Sequence, residues 1–274
     1  MSDARVTLLR DGIAARWLEG VEPAEVYLDT RPMSGGVPAA GIHRAPDLAS
    51  EQLDQLLFGE RFDVLEEDGA FLLGQARRDG YVGYVAKAAL RPLVPEPTHR
   101  VAAIRTFAFE QPSIKARALG PFSLNSLVAV EAREGRLAKV AGSGWVTFDH
   151  LAPIGMFEDD PAAVALRFVG APYLWGGRES IGLDCSGLVQ QALFACGLAC
   201  PRDTDQQQEL GREIGAAEFG RNDLVFWKGH VAIGVGDGMM VHANASHMAT
   251  VLEPLAAAVA REGYGEPTGY RRVL

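Results

Sequence analysis

Apolar and polar residues broadly alternate over Phe62-Asp63-Val64-Leu65-Glu66 and over Leu127-Val128-Ala129-Val130-Glu131. Each run ends in a charged turn with a glycine, Glu67-Asp68-Gly69 or Arg133-Glu134-Gly135. A period of two bounded by such turns predicts short strands, and short strands at this density predict small β-barrels. A weak repeat supports two such units. Gly83-Tyr84-Val85, with Leu90 and Pro92 after it, matches Gly144-Trp145-Val146, with Leu151 and Pro153 after it, always 61 residues apart. The expected barrels cover residues 37–95 and 96–154, joined by the stiff segment Pro92-Leu93-Val94-Pro95-Glu96-Pro97. Ahead of them, residues 1–36 read as an extension packing on the barrels, with one amphipathic helix over Arg5 to Leu18 and a short strand over Ala24 to Leu28.

Beyond residue 155 the pattern turns helical. Asp159-Asp160-Pro161 offers an N-cap and a first-turn proline, and Val164, Leu166, Phe168 and Val169 follow as an apolar surface. Leu183-Asp184-Cys185-Ser186-Gly187-Leu188-Val189 marks where a glycine-rich loop becomes an apolar helix that stops at Gly197. Strands are then expected over Asp223 to Trp227, Val231 to Val235 and Met239 to Ala243, with Gly236-Asp237-Gly238 as a hairpin turn. Leu255 to Ala260 reads as helix and Tyr270 to Val273 as extended. Helices first and an antiparallel sheet afterwards make residues 155–274 an α+β domain.

Composition narrows the function. An apolar fraction of 48% suffices for packed cores, and a net charge of −9 argues against nucleic acid or an anionic membrane as partner. No apolar run approaches the about 20 residues of a membrane span. Residues 1–20 carry charges throughout and do not read as a secretory signal, and three cysteines make no disulfide framework. A cytoplasmic location is expected, and no metal or other cofactor.

Cys185, at a helix N-terminus, is placed where unpaired N–H groups and the positive end of the helix dipole favour a thiolate nucleophile. Such a nucleophile needs a base, and the base an orienter. His230 and His242 flank the predicted hairpin, which brings them onto neighbouring strands, the first as base and the second as orienter. Cys196 and Cys200, at the end of the same helix, read as packing, and His247 is close enough in sequence to His242 to line the site, though that is the less favoured reading of it.

Tyr173-Leu174-Trp175-Gly176-Gly177, Asp184-Cys185-Ser186-Gly187, Gly229-His230-Val231-Ala232 and Val241-His242-Ala243 together resemble the motifs of the NlpC-type peptidoglycan cysteine peptidases. The two barrels resemble the bacterial SH3-like domains often fused ahead of them. The resemblance implies a papain-like domain and a γ-D-glutamyl-L-diamino-acid endopeptidase, cutting L-Ala-γ-D-Glu-diaminopimelate after the D-glutamate. It implies Cys185 as nucleophile, His230 as base, His242 as the polar third residue, and Tyr173 with the Cys185 backbone N–H as oxyanion donors. It further implies that Asp184, with Glu60 and Tyr81 of the first barrel, receives the free amine of the terminal L-alanine of a muropeptide. Arg202, Thr204 and Ser186 would line the neighbouring carboxylate and backbone site. The expected role is recycling of freed stem peptides. An amidase or acyltransferase on the same thiol fold, and a wall-peptide binder without catalysis, stay open as alternatives.

Overall fold

The computed structural model describes residues 2–274, which divide into two compact units, one up to Ile154 and one from Gly155 to Leu274. Strand is the dominant element, and the helices are few and short.

The N-terminal unit is built mainly from antiparallel sheets, with one parallel pair, Ile13–Ala15 beside Val26–Leu28. A seven-stranded sheet runs from Arg31–Gly35 to Leu90–Pro92 in sequence, with Arg61–Asp68 and Phe71–Ala76 paired at its centre. Met33, Ile42, Leu56, Phe62, Leu72 and Val85 fill its interior. A five-stranded and a three-stranded sheet follow over residues 99–153, around Phe58, Val101, Phe122, Val140 and Val146. The 61-residue repeat appears as one succession used twice. A strand (Val82–Ala86, Trp145–Thr147) leads into a 3₁₀ turn (Lys87–Ala89, Phe148–His150) and a second strand (Leu90–Pro92, Leu151–Pro153). The segment between the halves is tied down: Arg61 donates to the Val94 carbonyl at 2.9 Å and pairs with Glu96 at 3.2 Å.

The first 36 residues differ from the sequence expectation in two respects. Arg5 to Leu18 is not a helix. Leu9–Arg10 and Ile13–Ala15 form a hairpin, because Asp11 and Gly12 both take positive φ, 49° and 80°. An Asp-Gly pair is the turn that matches the twist of two antiparallel strands, and here it overrides the helical spacing. The seven-stranded sheet also begins earlier than residue 37, since Arg31–Gly35 pairs with both Arg61–Asp68 and Leu90–Pro92. The expected strand over Ala24 to Leu28 is present as Val26–Leu28. Leu8 and Ala15 are fully buried against Leu65, Phe71, Leu73 and Val82, and Val82 N–H donates to the Arg5 carbonyl at 2.7 Å.

The C-terminal unit is α+β, with helices α1 (Pro161–Leu166), α2 (Cys185–Ala195), α3 (Thr204–Gln207) and α4 (Leu255–Val259). Its six-stranded antiparallel sheet has Asp223–Trp227, His230–Gly236 and Met239–Asn244 at the centre, Ala249–Pro254 beyond them and Gly269–Arg272 on the other side. Asp160 caps α1, accepting from Ala163 N–H at 3.2 Å, and Pro161 opens it. Helix α2 is buried along its whole length, which is why its apolar residues run almost without interruption instead of forming one stripe. It packs on the sheet strand that begins at His230. The strand Ala249–Pro254, absent from the sequence expectation, becomes important at the site.

Candidate active site

Cys185 is the first residue of α2, and its neighbours set its position. Asp184 is the N-cap and accepts from Gly187 N–H at 2.8 Å. A Cβ on Gly187 would stand 2.2 Å from the Gly177 carbonyl oxygen, so glycine there is what lets the helix start lie against the Gly176-Gly177 turn. The upstream loop is held by a bridge between Tyr173 and Leu183 and by Tyr173 N–H donating to the Met248 carbonyl at 3.0 Å.

The Cys185 sulphur is buried, accepts from the backbone N–H of Val231 and lies 3.9 Å from Thr204 Oγ1. Val231 directly follows His230, so the Cys185 sulphur meets the sheet at the start of the histidine strand. Burial, reinforced by the Asp184 charge, pushes the thiol up to about 11. Loss of water around the sulphur opposes the anion that the helix start, Val231 and Thr204 favour.

His230 and His242 stand on adjacent antiparallel strands, with His230 Nε2 2.8 Å from His242 Nδ1. Burial, and secondly the neighbouring His242, lowers His230 to about 3, so its ring is neutral and able to take a proton. His242 is completely buried and is also lowered, first by burial. Its Nε2 lies 2.6 Å from Glu253 Oε1, and Arg261 donates to the other carboxylate oxygen at 2.6 Å. Asn244 Nδ2 lies 3.0 Å from the same His242 nitrogen. Tyr264 covers the pair, edge-on to the His230 ring at 5.3 Å and to the His242 ring at 6.4 Å. Trp227, whose indole N–H donates to the Gly265 carbonyl at 2.9 Å, packs on both His230 and Tyr264, with ring centroids 5.8 and 5.5 Å away.

Tyr173 is half-buried and feels the Cys185 and Asp184 charges. Burial first, and those charges second, raise its hydroxyl well above the usual phenol range, so it stays a proton donor. A protonated hydroxyl beside the nucleophile can stabilise charge developing on a carbonyl oxygen.

The residues assigned to substrate binding separate into two groups. Asp184, Ser186 and Arg202 form one buried network. Arg202 donates to both Asp184 oxygens and to Ser186 Oγ at 2.7 Å, Ser186 donates to Asp184 Oδ1 at 3.2 Å, and Gly176 N–H donates to Oδ2 at 2.9 Å. Asp184 thus has a cationic partner that sequence spacing did not announce, and Arg202, 1% exposed, spends its charge there. Thr204 opens α3 beside the sulphur. Glu60 and Tyr81 lie in the N-terminal unit. Glu60 is buried and accepts from Leu57 N–H at 2.9 Å, with the Arg78 guanidinium 3.9 Å away, while Tyr81 is part of the first sheet's core. His247 is anchored by Asn244, whose Oδ1 accepts from its backbone N–H at 2.8 Å.

Sequence reading missed Glu253, Arg261 and Tyr264. Glu253 had a signal, as the one acid in the β-branched and apolar run Ala249-Thr250-Val251-Leu252-Glu253-Pro254, two residues past the partner of His242. Arg261 and Tyr264 had none, because only the return of the chain after α4 brings them back to the histidines.

Residues 170–263 match the NlpC/P60 family, and residues 42–90 match the bacterial dipeptidyl-peptidase SH3 domain. The chain is 29% identical over 209 residues to the gamma-D-glutamyl-L-lysine dipeptidyl-peptidase of Bacillus subtilis strain 168, covering 69% of this chain and 71% of that one. It is 24% identical over 230 residues to dipeptidyl-peptidase 6 of Lysinibacillus sphaericus, covering 75% and 84%. The crystal structure of an NlpC/P60 family protein from Bacillus cereus ATCC 10987 superposes with a TM-score of 0.78 at 21% identity, over 89% of this chain and 100% of that one, a likeness of fold.

Proposed function

Because this chain is a cysteine peptidase of the NlpC/P60 family, we propose that it hydrolyses the γ-D-glutamyl bond to a diamino acid in stem peptides of the bacterial wall. The observation that carries the reading is the hydrogen-bonded pair of His230 and His242 on the strands against which the Cys185 helix packs. The names of the two relatives, both dipeptidyl-peptidases and one named for γ-D-glutamyl-L-lysine, support the bond and the removal of a dipeptide.

In this reading His230 takes the thiol proton as the Cys185 sulphur attacks the γ-carbonyl carbon of D-glutamate. Burial raises the thiol and lowers the imidazole, which favours proton transfer in step with attack. The Cys185 backbone N–H and the Tyr173 hydroxyl stabilise the tetrahedral oxyanion. As the intermediate collapses, the imidazolium returns its proton to the departing amine of the diamino acid, leaving a thioester. His230 then deprotonates a water that attacks the thioester carbonyl, the dipeptide acid leaves, and the thiol is restored.

The resemblance assigns Asp184, Glu60 and Tyr81 to recognition of the free amine of the terminal L-alanine, and Ser186, Arg202 and Thr204 to the substrate's neighbouring carboxylate and backbone. An ammonium met by a carboxylate favours the unblocked peptide, and because Asp184 is already held by Arg202 that preference rests chiefly on Glu60. Stem peptides still joined to glycan lack that amine, which fits a recycling enzyme acting on freed peptides in the cytoplasm. The test is mass spectrometry of products from L-Ala-γ-D-Glu-diaminopimelate and its N-acetylated form, with Cys185→Ala and Glu60→Gln alongside wild type. L-Ala-D-Glu and diaminopimelate are expected from the free peptide only. Equal cleavage of both peptides would refute the amine preference, and undiminished cleavage by Cys185→Ala would refute the mechanism.

A further inference from the structure

We propose that Glu253, held by Arg261, is a positioning residue that sets the tautomers of both histidines, leaving the His230 Nδ1 lone pair for the Cys185 thiol. The proposal rests on the reading of His230 as the general base.

The His242 ring has no access to water. His242 is completely buried, so each of its nitrogens must be satisfied within the protein. Two groups meet its Nε2, Glu253 Oε1 at 2.6 Å and Asn244 Nδ2 at 3.0 Å. They demand opposite states, because a carboxylate can only accept and an amide nitrogen can only donate. Distance and charge decide between them. A lone pair on Nε2 would face a carboxylate oxygen at 2.6 Å, two acceptors in contact, whereas an N–H there makes a short, charge-assisted hydrogen bond. Arg261 keeps Glu253 ionised: it donates to Oε2 at 2.6 Å, and its guanidinium lies over the Tyr264 ring at 5.3 Å. Against the cost of burial, this pair and His242 hold the Glu253 carboxyl below its usual range.

With the His242 proton on Nε2, its Nδ1 is an acceptor. His230 Nε2, 2.8 Å away, must then be the donor, and the neutral His230 ring carries its free lone pair on Nδ1. The order of polar groups, Arg261 to Glu253 to His242 to His230, therefore fixes which nitrogen of the base is basic. The charged and titratable groups facing His242 are His230 on one neighbouring strand, Glu253 on the other, His247 after its own strand, and Arg261 and Tyr264 after α4.

A glutamine at 253 would loosen this arrangement. It can turn either its oxygen or its NH₂ toward His242, and the NH₂ would select the opposite tautomer, which places a proton on His230 Nδ1 and removes the base. An orienting carboxylate replaced by its amide costs up to about 10⁴ in kcat by this route. With a second histidine between carboxylate and base, Glu253→Gln is expected to lower kcat about 10- to 100-fold with KM within about twofold. Arg261→Lys, which keeps the positive charge, is expected to retain most of the rate.

The deciding measurement uses the wild-type protein and needs no substrate. Ring ¹⁵N NMR is expected to show His242 and His230 both protonated at Nε2 at neutral pH, and a proton on His242 Nδ1 would overturn the proposal. Iodoacetamide labelling at Cys185, located by peptide mass spectrometry, gives a second readout, expected to be about tenfold slower in Glu253→Gln. Wild-type kcat and labelling rate in that variant would also overturn the proposal. Unchanged labelling in His230→Ala would instead remove His230 as base, while the ring tautomers still decide the role of Glu253. Labelling and NMR do not depend on which peptide is cut.

Discussion

Arg202 grips Asp184 through both terminal guanidinium nitrogens, at 3.0 Å to Oδ1 and 2.6 Å to Oδ2, with 1% and 9% of the two side chains exposed. Asp184 also caps the helix that begins with Cys185. Removing one partner from a buried pair leaves an uncompensated charge and costs about 3–5 kcal/mol. Arg202→Met is therefore expected to lower stability by that order in chemical denaturation. The double variant Arg202→Met/Asp184→Asn is expected to lose less than the two single losses added together, because no charge is then left behind. Additive losses would show that the two side chains are independent.

The pH–rate profile follows from two displaced groups. A His230 lowered to about 3 and a Cys185 raised to about 11 keep a neutral base beside a neutral thiol across the ordinary range. kcat/KM is expected to be flat between about pH 6.5 and 8.5, the ordinary values for histidine and cysteine. The acid limb should fall below that window and the alkaline limb above it.

The same shifts bear on stability. Between the unfolded value of about 6.5 and the folded value near 3, the unfolded chain binds a proton at His230 that the native chain refuses. The contribution of His230 is complete above pH 6.5 and is lost as pH falls toward 3. For Cys185 the sign reverses, and its contribution is complete below about 8.5 and is lost as pH rises toward 11. His230→Gln is expected to flatten the melting temperature between pH 6.5 and 4, and an unchanged slope would contradict the shift.

His242 separates orientation from bulk. His242→Asn and His242→Gln can still hydrogen-bond His230 and are expected to keep more activity than His242→Ala. The alanine variant leaves His230 unoriented and Glu253 facing a cavity. Equal activity of all three would remove His242 from the mechanism.

Gly59 tests the N-terminal unit. Its φ is +79°, and a Cβ there would stand 1.9 Å from the Leu127 carbonyl oxygen, at the place where Leu127 N–H donates to the Phe58 carbonyl. Phe58 stacks on Phe122 at 4.2 Å, with the Arg91 guanidinium 4.4 Å above its ring. A left-handed φ alone costs a side chain about 1–2 kcal/mol, and the clash adds to it. Gly59→Ala is expected to destabilise by about 3 kcal/mol or more, read as a shift in denaturation midpoint.

The active-site motifs were legible because each is local. A cap, a nucleophile and a glycine fall within four residues at Asp184 to Gly187, and the hairpin Gly236-Asp237-Gly238 pairs two strands that are close in sequence. The hairpin at Asp11-Gly12 was legible too, but apolar spacing over Arg5 to Leu18 spoke for a helix and hid it. Local turn chemistry prevailed because two successive residues with positive φ cannot continue a right-handed helix.

What the sequence by itself determined is the chemistry on offer: a thiol at a helix start, two histidines on a hairpin, strands repeating at 61 residues, and a chain rich enough in apolar residues to bury them. Tertiary structure decided the protonation of that chemistry. Whether Cys185 rests as thiol or thiolate depends on how much water the surrounding chain excludes. Which nitrogen of His230 is basic depends on Glu253 and Arg261, which reach the histidines only when Ala249–Pro254 adds to the sheet and the chain turns back after α4. Burial and long-range hydrogen bonds set these free energies, and neither is a property of neighbouring residues along the chain.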